Sequence, residues 1–306
     1  MQSCNEPTPV ARLYLVDSSI YVFQAWFSLP DSLTNARGEP NNAWVGFTDF
    51  VYRFLTAERP QKVVFAFDES LRSSARNDIY PEYKANRSPA PEELKRQFQW
   101  CRGWLDALGI AQVASDRHEA DDLIGSLARF NREQGGAVTI LTADKDLAQL
   151  IGEHDTWWSY AAGQQLNYRS VIKRFGVKPG QIADQLALAG DKVDNIPGIP
   201  GIGMTIAARL LTRFATLASL RANVERVGEM KFRGAQRVMK LLQEHDSILD
   251  ISSRLTPIDC TIEAMRDIDP MPGEADPDQL ERIMQEQRMG PERCRKWREW
   301  IDRRVA

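Results

Sequence analysis

Cysteine is scarce in this sequence, and the few cysteines follow no metal-binding or disulfide pattern. The 306 residues contain four of them, at Cys4, Cys101, Cys260 and Cys294, without a single CxxC pair. Such scattered thiols exclude a disulfide-stapled domain and a cysteine zinc site. They indicate a reducing compartment, so we expect a cytoplasmic protein.

Long apolar runs are absent as well. No segment reaches the ~18 uninterrupted apolar residues that indicate a membrane-spanning helix. Residues 1–10 lack the basic and apolar regions of a signal peptide. We therefore expect neither secretion nor a membrane partner.

A surplus of positive charge is also missing. The formal net charge is −3, whereas proteins that bind nucleic acid usually carry a basic surplus. A nucleic-acid-binding protein with many acidic residues in a metal site would have the same net charge. The net charge alone therefore does not exclude nucleic acid as a partner, and the positions of the charges along the chain matter more. The remaining composition, 43% hydrophobic and 26% charged, is that of a globular chain with a substantial core.

The chain does contain an alternation of short apolar runs and helical patterns. The predicted strands cover 13–16, 63–67 and 137–141, and the predicted helices between them include 42–55, 91–108 and 120–132. This alternation indicates an α/β fold with a central, mainly parallel sheet flanked by helices.

Strand patterns fade in the second half of the chain. From about residue 181 onward short helical patterns dominate, and 277–305 reads as two helices broken near Gly290. We therefore predict a catalytic α/β domain over 1–180 and a smaller helical domain over 181–306.

Each predicted strand runs into acidic side chains. The first two end at Asp17 and Asp68, and the third leads to Asp144 and Asp146. Because open α/β sheets bind ligands outside the carboxyl ends of their strands, these side chains should meet in one crevice.

Two further acidic pairs have helical spacing. Glu119 and Asp122 are three residues apart and share a helix face, and Asp191 and Asp194 have the same spacing. Asp121 points away from its neighbours on an ideal helix. Taken alone, each of these residues is more often a helix cap or a partner of the helix dipole than a metal ligand.

Clustered carboxylates need cations, because like charges a few ångströms apart repel. Oxygen ligands of this kind suit Mg²⁺ or Mn²⁺. Two such ions about 3.5–4 Å apart can activate a water and stabilise the leaving oxygen of a phosphodiester. The acidic motifs together therefore favour a two-metal hydrolase.

Basic and aromatic side chains alternate in the polar, proline-interrupted segment 69–91, which we predict to be a surface loop or a mobile helix. They are Arg72, Arg76, Tyr80, Tyr83, Lys84 and Arg87. Cations for phosphates and rings for bases suit a single strand of nucleic acid. An ordinary solvated loop explains the segment about equally well.

Glycines and prolines alternate in 194–203, which reads DNIPGIPGIG and precedes a helical pattern. At Gly201 and Gly203 the backbone N–H groups at the start of a helix can approach a phosphate closely. Pro-Gly pairs alone indicate only a tight turn, but a glycine hairpin between two helices is typical of DNA-backbone binding. Such a hairpin needs no basic surplus.

Five motifs in this order resemble the bacterial 5′–3′ exonuclease and flap endonuclease family, which includes the N-terminal nuclease domain of DNA polymerase I. They are LVDSS (15–19), FDESLRSSARNDIYPEYKANR (67–87), EADDLIG (119–125), TADKDLAQL (142–150) and GDKVDNIPGIPGIG (190–203). The resemblance implies a helical arch near 69–100 over the active site and a helix–three-turn–helix near 185–215.

The resemblance also implies roles for individual residues. It assigns a first metal to Asp17, Asp68, Glu119, Asp121 and Asp122, and a second metal to Asp144, Asp146, Asp191 and Asp194. It makes Lys84, with Arg87, catalytic toward the scissile phosphate, and it makes DNA contacts of Arg76, Tyr80, Tyr83, Gly201 and Gly203. It implies backbone binding of K⁺ at Gly198, Ile199 and Ile202. The chain departs from the family at Ala75, where many members have an aromatic residue.

We therefore expect a metal-dependent, structure-specific 5′ nuclease of DNA replication and repair, with 5′–3′ exonuclease and flap endonuclease activity. Its expected substrates are DNA with 5′ ends or flaps and RNA primers annealed to DNA. We expect a stand-alone monomer that works with a DNA polymerase.

Two alternatives remain at this point. One is a non-catalytic DNA-binding module with a degenerate nuclease site, against which the intact acidic set argues. The other is a small RNase with a related acidic α/β core, which would have no use for the glycine hairpin.

Overall fold

A computed structural model of the protein describes residues 12–69 and 74–305, so Cys4 and Arg72 lie outside the described residues. Its six strands are β1 (Arg12–Asp17), β2 (Lys62–Asp68), β3 (Gln112–Ser115), β4 (Ala137–Leu141), β5 (Thr156–Ser159) and β6 (Gln164–Asn167). They form one sheet in the order β3-β2-β1-β4-β5-β6, in which only the β5–β6 pair is antiparallel. The predicted α/β class with a mainly parallel sheet is confirmed.

The helices of the first half lie between these strands, apart from the last one, which follows β6. They are α1 (Ser18–Ser28), α2 (Asn42–Glu58), α3 (Ala75–Ile79), α4 (Glu92–Ala107), α5 (Ala120–Glu133) and α6 (Tyr168–Phe175). The observed α2, α4 and α5 match the three predicted helices to within a few residues, because their apolar positions recur at helical spacing.

The second half is helical, as its sequence pattern predicts. Its helices are α7 (Ile182–Ala189), α8 (Met204–Phe214), α9 (Leu217–Ala222), α10 (Ala235–Glu244), α11 (Asp246–Leu255), α12 (Pro277–Glu286) and α13 (Pro291–Val305). Among the described helices, none is long and apolar enough to span a bilayer.

Both faces of the sheet are covered, which explains why its strands are continuous apolar runs. In β2, Val64 and Ala66 face the side covered by α5, whereas Phe65 and Phe67 face the side covered by α2 and α4. The core on the α5 side continues without a break into α7, α8 and α10, where it includes Leu210. The helical half is thus joined to the sheet by a shared core.

The last two helices pack on the other side of the sheet. Trp297 of α13 is 1% exposed and lies 5.0 Å, ring to ring, from Trp104 of α4. Leu280 of α12 belongs to the same core. The predicted helical unit 181–306 therefore does not pack as one body, because α12 and α13 bury their apolar faces against α2 and α4 instead.

Candidate metal centre and the segment that covers it

The predicted carboxylates of the strands lie together at the carboxyl edge of the sheet. Asp17 ends β1 and Asp68 ends β2, while Asp144 and Asp146 follow β4. Asp17 is also the residue before α1, but its side chain makes no capping hydrogen bond. The ordinary explanation as a helix cap therefore fails for Asp17.

Neighbouring polar groups hold these carboxylates in place. The Thr142 hydroxyl donates to Asp17 Oδ2 at 2.8 Å and accepts from the Asp144 N–H at 2.9 Å. The Asp146 N–H donates to Asp144 Oδ1 at 2.8 Å, and the Ala120 N–H donates to Asp68 Oδ1 at 2.9 Å. Sequence reasoning missed Thr142, although it opens the TADKD motif and could have been found there.

The electrostatics of these groups show a surplus of negative charge. Burial, together with the charge of Asp68, raises the pKa of Asp17 to about 8. Burial and the charges of Asp144 and Asp191 raise the pKa of Asp146 to about 8. Burial and the charges of Asp144 and Asp17 also raise the pKa of Asp121 well above its usual value, so Asp121 does belong to this group.

A second set of predicted ligands is neutralised by the protein itself. Lys84 Nζ lies 2.6 Å from Glu119 Oε2, and Lys145 Nζ lies 2.8 Å from Asp191 Oδ2. Arg87 forms an ion pair with Asp194. Burial alone would raise the pKa of Glu119, but the charges of Lys84 and Arg76 outweigh it and lower that pKa.

Asp122 occupies a different environment from the other predicted ligands. Its carboxylate accepts from both Arg76 Nη atoms at 2.7 and 2.8 Å, from the Asp259 N–H at 2.9 Å and from the Glu119 N–H at 3.2 Å. Four donors satisfy its two oxygens. The structure therefore makes Asp122 an anchor for Arg76 and the start of α5.

The guanidinium of Arg76 is likewise occupied by partners within the protein. Besides the contacts with Asp122, its guanidinium donates to the carbonyl oxygens of Leu255 and Pro257 at 2.9 Å each. The residue is 9% exposed. In this arrangement Arg76 joins α3 to the segment after α11, and it is not available to DNA.

The segment between α3 and α4 covers the acidic cluster. Tyr83 and Lys84 are only 3% and 8% exposed, so the prediction of a surface loop is wrong for these two residues. The Tyr83 hydroxyl lies 3.2 Å from both Glu119 Oε2 and Asp194 Oδ2. Tyr83 could stack on a base only if this segment moved, whereas Tyr80 is already partly exposed.

The covering segment is also tied to the glycine-rich loop. The Lys84 N–H donates to the Asp194 carbonyl at 2.9 Å, and the Asn195 side chain donates to the Glu82 carbonyl at 2.7 Å. Both Lys84 and Asn195 have φ near +55°, a conformation that costs a non-glycine residue energy. Paired contacts hold both residues there, next to the acidic cluster.

The glycine-rich loop 190–203 connects α7 to α8. Gly190 has φ +73°, and a Cβ there would lie 2.6 Å from the Gly198 nitrogen. The two ends of the loop can therefore approach this closely only because residue 190 has no side chain. Ile199 and Ile202 are each 2% exposed and fix the loop to the core, and the Ile202 N–H donates to the Ile199 carbonyl. Gly201 and Gly203 are exposed at the start of α8.

The carboxylates of the cluster are hard oxygen donors of the kind that divalent ions take. Within residues 12–69 and 74–305, no three His, Cys, Asp or Glu side chains are arranged to hold an ion as they stand. However, Asp146 Oδ1 is buried without a hydrogen-bond partner, and it lies among mutually repelling carboxylates. A buried carboxylate oxygen of this kind needs a cation, so the residues fit hard divalent ions.

Substrate access is open beside the cluster. A cleft of about 760 Å³ has Asp68 and Arg87 in its wall, together with the rings of Phe23, Phe67 and Phe98. The cleft joins charged groups that could meet a phosphate to apolar surfaces that could meet a base.

Comparison with known proteins gives two consecutive family matches. Residues 12–176 match the model of the 5′–3′ exonuclease N-terminal resolvase-like domain, and residues 177–278 match that of the 5′–3′ exonuclease C-terminal SAM fold. All but the first two residues of α12 and the whole of α13 lie beyond both matches.

Two relatives illustrate the similarity. The chain is 37% identical over 214 residues to a 5′–3′ exonuclease of Aquifex aeolicus, which covers 70% of this chain and 73% of that one. It is 38% identical over 268 residues to DNA polymerase I of Pseudomonas aeruginosa, which covers 86% of this chain but 29% of the polymerase. The chain thus spans less than a third of that polymerase.

A solved structure shares the fold at lower sequence identity. A bacteriophage T5 flap endonuclease, in a pseudo-enzyme–product complex with DNA and metal ions, matches with a TM-score of 0.65 at 17% identity. The match covers 91% of this chain and all of that one.

Proposed function

Because this chain belongs to the 5′–3′ exonuclease family, we propose that it hydrolyses DNA phosphodiester bonds near a free 5′ end or at a 5′ flap. One observation carries this proposal. Buried, mutually repelling carboxylates at the carboxyl edge of the sheet lie directly under the cationic residues Lys84 and Arg87. Such a site attracts divalent ions and the phosphate between them.

The proposed cofactor is Mg²⁺ or Mn²⁺, in two or more positions. Asp17, Asp68, Glu119 and Asp121 would hold the first ion, and Asp144, Asp146, Asp191 and Asp194 would hold the second. Bound ions of this kind supply activation of a water nucleophile and charge stabilisation at the leaving oxygen. We leave Asp122 out of this set because its oxygens are saturated by Arg76 and backbone donors.

The chain's own residues orient and neutralise the substrate. Lys84 and Arg87 now pair with Glu119 and Asp194. If those carboxylates served as metal ligands, Lys84 and Arg87 would lose these partners and could turn to the scissile phosphate. There they would stabilise the charge that grows in the transition state. Tyr80 and Tyr83 would offer rings to bases of the extruded strand.

The helical part would hold the duplex. We propose that the backbone N–H groups near Gly201 and Gly203 bind a phosphate, and that carbonyls at Gly198, Ile199 and Ile202 bind K⁺ against the same strand. A catalytic part over 1–180 would thus cut the DNA and a helical part that begins at 181 would bind it, while α12 and α13, within 181–306, would pack against the catalytic part.

The finer substrate proposal includes 5′ flaps and RNA primers annealed to DNA, processed by a monomer in the cytoplasm alongside a DNA polymerase. Support comes from the flap endonuclease and DNA polymerase I similarities.

The first test is cleavage of a 5′-labelled flap beside a nicked duplex, compared with a single strand of equal length. We expect cleavage with Mg²⁺ and none in excess EDTA, with DNA binding retained in both. Asp191→Asn combined with Asp194→Asn is the matched control, and it should bind DNA without cutting it. Binding without cleavage by the unaltered protein would favour the non-catalytic alternative, and full cleavage in EDTA would refute the metal mechanism.

A further inference from the structure

A second cavity lies at the amino edge of the sheet. Its wall includes Pro60, just before β2, and Ile110, just before β3. Asp68 ends β2 at the other edge of the sheet, about 20 Å away at ~3.3 Å per strand residue. The cavity has a volume of about 410 Å³, a size typical of small-molecule sites. It is therefore separate from the proposed catalytic site, and we call it the amino-edge cavity.

The end of α13 forms part of the amino-edge cavity. Trp300, Arg303 and Arg304 of this helix line it, together with Thr56 and Arg59 at the end of α2. Because α13 lies beyond both family matches, this cavity is built in part by residues that the two family segments do not include.

Contacts within the protein hold the cavity open before any ligand binds. The Arg304 Nη atoms donate to the carbonyl oxygens of Leu108 and Gly273 at 2.9 and 2.6 Å. The same guanidinium lies over the Trp300 ring at 4.9 Å. Gly273 follows Pro272, which also lines the cavity, so Arg304 joins α13 to this wall. Arg304 is therefore part of the frame of the cavity.

The charged residues of the lining are all positive. Three of the lining residues are arginines, and none of those that the structure describes is Asp or Glu. Among the ion pairs of residues 12–69 and 74–305, none involves Arg59, Arg303 or Arg304, whereas Arg293 near the start of α13 pairs with Asp49. The hydrogen bond to Asp49 raises the pKa of Arg293, but burial lowers the pKa of Arg304. The positive charge of the cavity is thus not neutralised by the protein.

Arg59 adopts a backbone conformation that favours glycine. It follows α2 with a φ of +47°, where a helix most often ends in glycine and where a side chain costs free energy. The dipole of α2 favours a cation near this end. However, a cation in the last turn would meet the dipole without this strain, and the last turn of α2 has none. The side chain of Arg59 is therefore better explained by the cavity that it lines.

An unsatisfied polar atom lines the same cavity. Thr56 Oγ1 is buried and has no hydrogen-bond partner, although a threonine within a helix can donate to the carbonyl four residues earlier. A buried polar atom without a partner costs free energy, and a hydroxyl can donate to an anionic oxygen. Thr56 is therefore a second, uncharged group that is suited to a ligand in this cavity.

We propose that the amino-edge cavity binds a small phosphomonoester that carries a planar ring, which is the chemistry of a nucleoside 5′-monophosphate. A phosphomonoester has about 1.5–2 negative charges at pH 7, and the guanidinium groups of Arg59 and Arg303 can each bind it through two N–H groups. A carboxylate or a phosphodiester, with one charge, would leave more of the positive charge unmet. The Thr56 hydroxyl would donate to the ligand, and its ring would lie against Trp300 and the apolar wall at Ile110.

The binding test uses the whole protein, stripped of divalent ions by EDTA and then dialysed. Without these ions the acidic cluster repels phosphates, so it does not contribute to binding. Deoxyadenosine 5′-monophosphate, deoxyadenosine and inorganic phosphate are each titrated by calorimetry. We expect one nucleotide to bind per chain with a Kd below about 1 mM, at least about tenfold tighter than either fragment.

Two variants connect this binding to the cavity. Arg59→Gly removes one guanidinium and suits a φ of +47°, so the protein should fold at least as stably. Arg303→Gln removes an exposed guanidinium from α13. We expect each variant to weaken nucleotide binding by about tenfold. Arg53→Gln, which removes the same charge from α2 outside the lining, is the matched control and should leave the affinity unchanged.

Thermal unfolding supplies a second measurement. Because a ligand that binds only the folded state stabilises it, the nucleotide should raise the Tm of the unaltered protein and of Arg53→Gln, but raise that of Arg59→Gly less. A role of Arg59 limited to the helix dipole predicts the opposite pattern, a lower Tm of Arg59→Gly without nucleotide and unchanged binding. That pattern would overturn the proposal.

The remaining outcomes each decide the proposal. A Kd above about 1 mM, or equal affinity for nucleotide and inorganic phosphate, overturns it. Tighter binding of a short acidic peptide than of the nucleotide would assign the cavity to a protein partner and overturn it as well. Tighter binding of a 5′-phosphorylated oligonucleotide, lost in Arg59→Gly and Arg303→Gln, supports it and identifies a strand end as the source. Since the titrations contain no divalent ion, a failure of the nuclease proposal would leave these results unaffected.

Discussion

Lys84 is restrained at its backbone and at its side chain. Its N–H donates to the Asp194 carbonyl, its φ is +55°, and its ammonium lies 2.6 Å from Glu119. The backbone contacts therefore keep Lys84 at the edge of the acidic cluster, which is where the proposed mechanism places the scissile phosphate. Preorganised groups of this kind contribute about 10²–10³-fold in rate.

We expect Lys84→Ala to lower the single-turnover rate on a 5′ flap by about 10²–10³-fold, with little change in DNA affinity. The measurement uses enzyme in saturating excess, with a parallel binding titration in Ca²⁺. Lys84→Arg keeps the charge and serves as the control. A preserved rate with weakened affinity would make Lys84 a binding residue instead.

Asp122 and Arg76 form a buried, bidentate pair. Removing one partner of such a pair leaves an uncompensated charge and costs about 3–5 kcal/mol. We expect Asp122→Asn to lower the free energy of unfolding by about this amount while leaving divalent-ion affinity nearly intact. Asp146→Asn should instead weaken divalent-ion binding and leave the free energy of unfolding nearly unchanged. Urea unfolding and Ca²⁺ calorimetry would check both, and lost ion affinity with full stability would return Asp122 to the ligand set.

The loop between α7 and α8 supports a prediction about monovalent ions. Its buried isoleucines, Ile199 and Ile202, anchor the loop to the core, and the proposed K⁺ would bind at the carbonyls of this anchored loop. We expect K⁺ to tighten duplex binding relative to Na⁺ at equal ionic strength, because general screening weakens binding equally in both salts. Equal affinities in the two salts would remove the K⁺ assignment.

The central sheet and its main helices could be predicted because their signals are local. β1, β2 and β4 contain the runs LYLV, VVFAF and AVTIL, in which Thr139 is the one polar residue, and α5 repeats its apolar residues at helical spacing. The covering segment could not be predicted in the same way. Tyr83 and Lys84 look polar, and they are buried only because Glu119 and Asp194 come to them from distant parts of the chain.

The candidate site shows the same limit at finer detail. Strand ends correctly indicated where Asp17, Asp68 and Asp144 would lie. The spacing of Glu119 and Asp122 placed both on one helix face, but it could not show that Asp122 is occupied by Arg76. That distinction depends on a residue 46 positions earlier in the chain.

At the scale of the whole molecule, α13 closes the core beneath α2 and α4. Trp297 contacts Trp104 and Tyr52 at ring distances of 5.0 and 5.2 Å. We expect Trp297→Ala to lower the free energy of unfolding by about 3–5 kcal/mol, as for other buried aromatic residues. Trp300→Ala, on the same helix but partly exposed, should cost much less in the same urea titration. Equal small losses would make α13 a peripheral addition.

The continuous core between the sheet and the helical half limits how the two segments can recombine between related proteins. Two family segments meet at residues 176 and 177, yet Leu13 and Ile140 of the sheet share one core with Leu186 and Leu210 of the helices. A recombination event at this junction would pair a sheet and a set of helices whose core side chains do not pack together. Gene fragments exchanged between relatives should therefore yield working hybrids only when both segments travel together.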